Sequence, residues 1–278
     1  MKKNLDKSKV KGALYGFAIG DAMGATTEFM TKDEIKTNYG KLEKIVGGGW
    51  LGVKPGQVTD DTEMMLIVAE SLINAKSHRD YLNRCCKGFA DWFNSMPIDV
   101  GSKCARVISR CLDKKNCSDW FIISRKIDRC YASLGNGGLM RCLLPTLIGN
   151  KEYAVSQGKI THYNNTSTNC ISLYFDIIQL AKRGKKIKYD NCKLKEPTGN
   201  VVNTLNNAIY WFLNTDTYKD AIVGAVNDGG DADTIAAICG GIAGAYYGFE
   251  NIPEYLVESL DKKVVNKIEE ICNYLFTN

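Results

Sequence analysis

Apolar residues return every three or four positions along most of the chain. Tyr81, Leu82, Cys85, Phe89, Trp92 and Phe93 keep this spacing, and so do Val107, Ile108, Cys111 and Leu112. It recurs in Ile171, Tyr174, Ile177, Ile178 and Ala181, and again in Val202, Leu205, Ile209 and Phe212. That period belongs to a helix with one face turned to a core. Met64 to Leu72 and Ile235 to Tyr247 are apolar nearly all round, which predicts two central, buried helices. Alternation of useful length, the mark of a half-buried strand, is absent. None of the five prolines splits the chain, and neither a low-complexity linker nor an internal repeat interrupts it. The pattern predicts one all-α domain over residues 1–278, with about ten helices.

A second periodicity runs through the glycines. Gly12, Gly16, Gly20 and Gly24 fall four apart, as do Ala232, Ala236, Gly240, Gly244 and Gly248. Glycine costs about 1 kcal/mol in a helix interior relative to alanine, so such a stripe needs a compensation. Residues four apart share a helix face, and bare positions there let another backbone come close. Two stripes therefore predict that an early and a late helix pack tightly against each other. The segment from Gly40 to Gln57, rich in glycine around Trp50, reads as an irregular loop.

Composition narrows the classes. The 278 residues carry 36 basic and 31 acidic side chains, a net +5, with 45% apolar residues and 24% charged. Those proportions describe an ordinary globular chain and exclude intrinsic disorder. No apolar run reaches the roughly 18 residues of a membrane-spanning helix. The first residues, Met1 to Lys7, are basic and lack the apolar core of a signal peptide. The eleven cysteines are scattered, with no C-x-x-C pair, which argues against a disulfide scaffold and for a reducing cytoplasm. With two histidines, His78 and His162, zinc chemistry is disfavoured. The basic run Lys182 to Lys188 follows an apolar helical stretch and reads as cations at a helix C-terminus. It has no interleaved aromatics, so no nucleic-acid partner is expected.

Two acidic clusters carry the chemistry. Thr59-Asp60-Asp61-Thr62 stands just before the first all-apolar helix, and Asp231-Ala232-Asp233-Thr234 just before the second. Helix capping accounts for one residue in each. It does not call for two carboxylates plus hydroxyls, twice, at the mouths of buried helices. Oxygen ligands without histidine or thiolate suit a hard cation, Mg²⁺ or Mn²⁺. Capping and metal binding both remain open on pattern alone, with metal favoured. Glu28 lies at the end of the first stripe and would reach the clusters if the striped helices pack together. Asp21 fits a helix residue paired to a polar neighbour. Gly135-Asn136-Gly137-Gly138-Leu139-Met140-Arg141 is a turn that offers backbone N–H groups to an anion, or is only a turn. His162 reads as a cap or a packed polar residue.

In this order along the chain, these elements resemble the ADP-ribosylglycohydrolase family: Gly16 to Gly24 with Glu28-Phe29, Thr59 to Thr62, Asp99-Val100-Gly101, Gly135 to Arg141, Thr161-His162, and Gly229 to Thr234. The resemblance spans residues 12 to 248 and implies an orthogonal multi-helix fold whose members use two divalent cations to remove ADP-ribose from modified proteins. It implies metal ligation by Thr59, Asp60, Asp61, Asp231, Asp233 and Thr234; Asp233, the second carboxylate of its cluster, is the expected ligand shared by both ions. Glu28 and Asp61 are implied as catalytic groups, together with Asp99. The ADP-ribose pocket would be lined by Gly135, Asn136, Gly137, Gly138 and Met140, with His162 at its edge and Ser102 nearby. Arginine-specific members carry an Asp-Ile-Gly-Asn stretch where this chain has Asp99-Val100-Gly101-Ser102, so serine stands in the asparagine's place. Asp99 is expected to project into solvent-filled space and to accept an arginine guanidinium; its bland alternative is the N-cap of a helix beginning near Gly101. The expected substrate is a mono-ADP-ribosylated protein, arginine-linked, and the product ADP-ribose. The alternatives are an O-linked substrate such as serine, a non-catalytic ADP-ribose binder, or a metal-dependent phosphohydrolase. A monomer is expected.

Overall fold

Residues 5–131, 134–189 and 192–277 are described by a computed structural model. In chain order the helices are α1 (Lys7–Gly24), α2 (Lys32–Tyr39), α3 (Asp60–Ile73), α4 (His78–Asn94), α5 (Ser102–Ile108), α6 (Cys117–Cys130) and α7 (Leu143–Leu147). They continue with α8 (Lys151–Gly158), α9 (Asn165–Ala181), α10 (Val201–Leu213), α11 (Tyr218–Val226), α12 (Ala232–Tyr247), α13 (Glu254–Glu258) and α14 (Lys262–Thr277). Among the described residues the only β pairings are isolated bridges, Gly48 with Val53 and Gly135 with Asn200. The helix count exceeds the ten or so that periodicity suggests. The additional ones are mostly pieces of five to nine residues, such as α2, α7, α8 and α13, too short to display the repeat. Two apolar positions behave differently from expectation: α5 stops at Ile108, leaving Leu112 exposed beyond it, and Val202 is also exposed. Residues 1–4, on which part of the N-terminal reading rests, lie outside the described residues.

The glycine stripes do meet. α1 and α12 run antiparallel, and a Cβ built on Gly12, Gly16, Gly20 or Gly24 would lie 2.6, 2.5, 2.2 or 2.5 Å from the carbonyl oxygen of Gly244, Gly240, Ala236 or Ala232 respectively. Backbone therefore packs on backbone, which recovers in contact what glycine costs in propensity. Both helices are buried almost throughout. α9, α10 and α11 pack on α12, while α14 and the turn Phe249–Asn251 cover α1. α3 touches both members of the central pair and carries α4 on its other side, with α5, α6 and α8 beyond.

Two smaller expectations find their explanation here. Lys182 and Lys186 of the basic run donate to the carbonyls of Leu147 and of Phe212 and Thr215, at the ends of α7 and α10. The run thus begins at the C-cap of α9, as expected, and its side chains also satisfy carbonyls at the ends of neighbouring helices. Cys85, Cys111 and Cys239 are buried as small apolar residues, and burial pushes the Cys85 thiol up to about 12. Among the described residues no helix is long and apolar enough to cross a membrane.

Candidate active site

The antiparallel crossing decides which helix ends meet. It sets the last turn of α1 beside the first turn of α12, and so brings Glu28 to Asp231 and Asp233. One carboxylate oxygen from each of these three lies within 4.8 Å of the others. The first cluster is fastened by Asp21, fully buried in the last turns of α1. Asp21 Oδ1 accepts from the Thr59 amide (3.0 Å) and hydroxyl (2.9 Å), and Oδ2 accepts from the Thr62 amide (2.9 Å). The polar-neighbour reading of Asp21 therefore holds, and the neighbour is the N-terminus of α3. Thr234 joins the clusters by donating its hydroxyl to Asp61 Oδ2 at 3.1 Å.

Each remaining carboxylate has its own tether. Asp60 Oδ2 accepts from the Gly101 amide (3.1 Å), tying α3 to the start of α5. Asp231 Oδ2 accepts from Asn136 Nδ2 (2.6 Å), tying α12 to the glycine turn. Glu28 Oε2 accepts from the indole of Trp50 (2.5 Å). Trp50 is delivered by a loop that runs against the end of α1. Gly49 there has φ +67° and leaves no room for a side chain, since its Cβ would stand 2.2 Å from the Ala25 carbonyl.

Burial and mutual repulsion govern the charges. Burial raises Asp21 and Asp231 to about 6 and Glu28 to about 8. It also raises Asp60, Asp61 and Asp233 well above the ordinary carboxylate range, with neighbouring carboxylates adding to the effect, and it raises Asp99 too. So many acids in one place require protons or cations. Asp61 Oδ1 is buried without a hydrogen-bond partner, an oxygen open to a ligand. An all-oxygen donor set around such an atom fits a hard divalent cation.

Both clusters open onto one cavity of about 490 Å³. Its wall includes Asp99 and Ser102 from the α5 entry, and Gly135, Asn136, Gly137, Met140 and His162 from the far side. Of the residues singled out from sequence, Thr59 and Gly138 stand behind the wall. Gly138 lets His162 and Gly158 approach, at 3.3 Å from where its Cβ would be. His162 is buried with Nδ1 2.8 Å from the Thr161 hydroxyl. Burial, then the cations of Lys103 and Arg141, hold its ring neutral. Arg141, the last residue of the glycine motif, points away from the cavity. It is fully buried, donating to Gln157 Oε1 (2.8 Å) and Thr161 Oγ1 (2.7 Å) over the Phe89 ring.

The N-cap alternative for Asp99 is corrected. The α5 N-cap is Gly101, and Asp99 Oδ1 accepts instead from the adjacent Val100 amide at 2.8 Å. Asp99 is half-buried and lines the cavity.

Lining residues to which sequence reasoning gave no role include Phe29, Trp50, Lys103, Cys104 and Gly199. The first two had a signal, an aromatic beside Glu28 and another in the glycine-rich loop that leads to Thr59. Lys103 had none, because its partner Asp128 lies in α6 and the buried pair forms only in the fold.

Known proteins match the chain over most of its length. A family model described as ADP-ribosylglycohydrolase matches residues 2–190 and 185–278. The chain is 37% identical over 279 residues to ADP-ribosyl-[dinitrogen reductase] glycohydrolase of Rhodospirillum rubrum, covering 92% of each. It is 31% identical over 305 residues to ADP-ribosylarginine hydrolase Tri1 of Serratia proteamaculans, covering 97% of this chain and 80% of that one. A solved structure titled ADP-ribosylglycohydrolase-related protein complex superposes with a TM-score of 0.78 at 25% identity, over 98% of each chain.

Proposed function

The chain belongs to the ADP-ribosylglycohydrolase family, hydrolases of ADP-ribose glycosidic linkages, and from that premise we propose that it releases ADP-ribose from arginine side chains of mono-ADP-ribosylated proteins. The observation that carries the reading is the Asp99 carboxylate on the wall of the cavity that both acidic clusters share. A guanidinium is planar and cationic, and a carboxylate is the side chain that matches it.

In this reading Asp60, Asp61, Asp231, Asp233 and Thr234 hold two divalent cations, Mg²⁺ or Mn²⁺, with Asp233 shared, and Thr59, behind the wall with its hydroxyl on Asp21, is the ligand whose oxygen would have to turn toward them. The fit rests on their hard oxygens and on the partnerless Asp61 Oδ1. Bound there, such ions would polarise ribose hydroxyls and make a water more acidic. The protein's own groups do the remainder. Gly135, Asn136, Gly137 and Met140, with Ser102 and His162, enclose the ADP-ribose. Asp99 holds the guanidinium or exchanges a proton with it. Glu28, kept in place by the Trp50 indole, and Asp61 face the developing oxocarbenium charge with negative oxygens. The product is ADP-ribose. We assign the chain to a reducing cytoplasm as a monomer, on its eleven cysteines and its single-domain pattern.

The test is hydrolysis of arginine- and serine-linked ADP-ribose conjugates, with Mg²⁺, with Mn²⁺ and with chelator. Cleavage of the arginine conjugate is expected to need the cation. Asp99→Ala is expected to lose turnover, by about a hundredfold or more for a lost general acid or base, while binding metal as before. Ser102, in the place of the arginine-specific asparagine, favours the second reading of an O-linked substrate. Cleavage of serine but not arginine conjugates, or full activity of Asp99→Ala, would establish that reading instead.

A further inference from the structure

Exposed apolar side chains that the hydrolysis of ADP-ribose does not require stand at or near the cavity: Phe29 and Trp50 line its wall, and Met96 and Ile98 lie within three residues of the lining Asp99 in the chain. Among the described residues only two non-glycine positions have a left-handed backbone, Phe29 at φ 60° and Met96 at φ 55°. Both are large, apolar and exposed, at 63% and 87%, and both flank a carboxylate of the cavity: Phe29 follows Glu28, and Met96 stands three residues before Asp99. Left-handed backbone disfavours any side chain with a Cβ, so the surroundings must impose it.

They do so differently at the two places. The Phe29 amide donates to the Gly230 carbonyl at 2.6 Å, and the Gly230 amide returns a bond to the Met30 carbonyl at 2.9 Å. The turn is thereby locked onto the loop that precedes α12, and the Phe29 ring is held outward against Trp50, with centroids 5.2 Å apart. Trp50 is itself 56% exposed although its indole is fixed by Glu28. Met96 occupies the position just past the end of α4, where the amide bonds back to Phe93 and where glycine is the undemanding choice. Ile98, exposed as well, follows in the same turn.

From this we propose that the Phe29–Trp50 pair and the Met96–Ile98 turn form a docking rim for the polypeptide that carries the ADP-ribose. Its occupant is the segment flanking the modified side chain, with apolar residues set against this edge. The proposal rests on the hydrolase reading above. Continuity with the cavity names the occupant: a modified side chain that reaches the acidic centre must bring its own backbone to the mouth. Phe29 and Trp50, held by each other and by Glu28, lose little freedom on contact, which is how binding surfaces gain affinity.

Steady-state kinetics of the full, metal-loaded chain test it, with ADP-ribosyl-arginine as the small substrate and an arginine-ADP-ribosylated protein as the large one. Met96→Gly is the informative variant, because Met96 does not line the cavity and glycine suits its backbone. Expected are a KM for the modified protein raised about tenfold, unchanged turnover of ADP-ribosyl-arginine, and a higher melting temperature. A purely structural Met96 would give the higher melting temperature alone, and an unchanged KM for the protein in both Met96→Gly and the doubly substituted Met96→Gly, Ile98→Ser chain overturns the rim. So does a wild-type dimer that Met96→Gly converts to a monomer with KM unchanged, since the rim would then serve a second copy. A wild-type chain that cleaves neither substrate brings down the hydrolase reading and the rim with it.

Discussion

Gly137 is the residue at which the anion-binding reading is most exposed to test. A Cβ there would lie 2.8 Å from Cys104 Sγ and 2.9 Å from His162 Cε1, so any side chain must displace cavity wall. Gly137→Val should raise the dissociation constant for ADP-ribose about tenfold, equivalent to about 1.4 kcal/mol, as titration calorimetry would read it. A folded variant with unaltered affinity would leave the turn a turn. Individual residues were unevenly legible. The twin acidic clusters announced themselves because capping accounts for only one residue in each. The Glu28–Trp50 bond and the buried Lys103–Asp128 pair did not, because each joins residues whose proximity only the fold creates.

At the scale of helices, the α1–α12 crossing sets propensity against packing. Alanine at Gly20 improves helix propensity by about 1 kcal/mol. Its Cβ would also stand 2.2 Å from the Ala236 carbonyl oxygen, which is backbone and cannot swing aside. Gly20→Ala is therefore expected to destabilise the protein by about 3 kcal/mol, the upper end for overpacking, seen as a lower urea midpoint. A midpoint that rises would mean the two helices do not touch there. The stripe itself was readable, since four-residue spacing fixes a common face. Which helices were missed follows from length: a piece of five residues, such as α7, buries side chains without repeating a pattern. The end of α5 was misjudged because Cys111 is buried from a turn beyond the helix, where spacing still mimics helical period.

For the whole molecule the crowd of acids makes stability depend on pH and on cations together. Asp21 and Asp231 titrate near 6 and Glu28 near 8, all above the ordinary carboxylate range. Between about 4 and about 8 the folded chain then holds more protons than the unfolded one, so stability contributed by these groups is full at low pH and drains away as pH rises through that window. In chelator the melting temperature should fall from about pH 5 to about pH 8, and Mn²⁺ should raise it more at the higher pH, since bound cations replace the lost protons. Scanning fluorimetry with a metal benefit that is flat across the range would show that these carboxylates do not face the ions. The central pair also has a bearing on how the protein is made. Glu28 cannot meet Asp231 and Asp233 until α12 has been synthesised, over 200 residues after α1, and at ribosomal speeds of about 5–20 residues per second that is a wait of roughly ten to forty seconds. Throughout it the glycine face of α1 has no α12 to pack on, and the acidic centre has Asp21, Asp60 and Asp61 but lacks Asp231 and Asp233. Contacts so distant in sequence form late, so a chain interrupted before α12 lacks Asp231 and Asp233 and cannot close the acidic centre, and helper proteins that shield the new polypeptide have their longest task at its beginning.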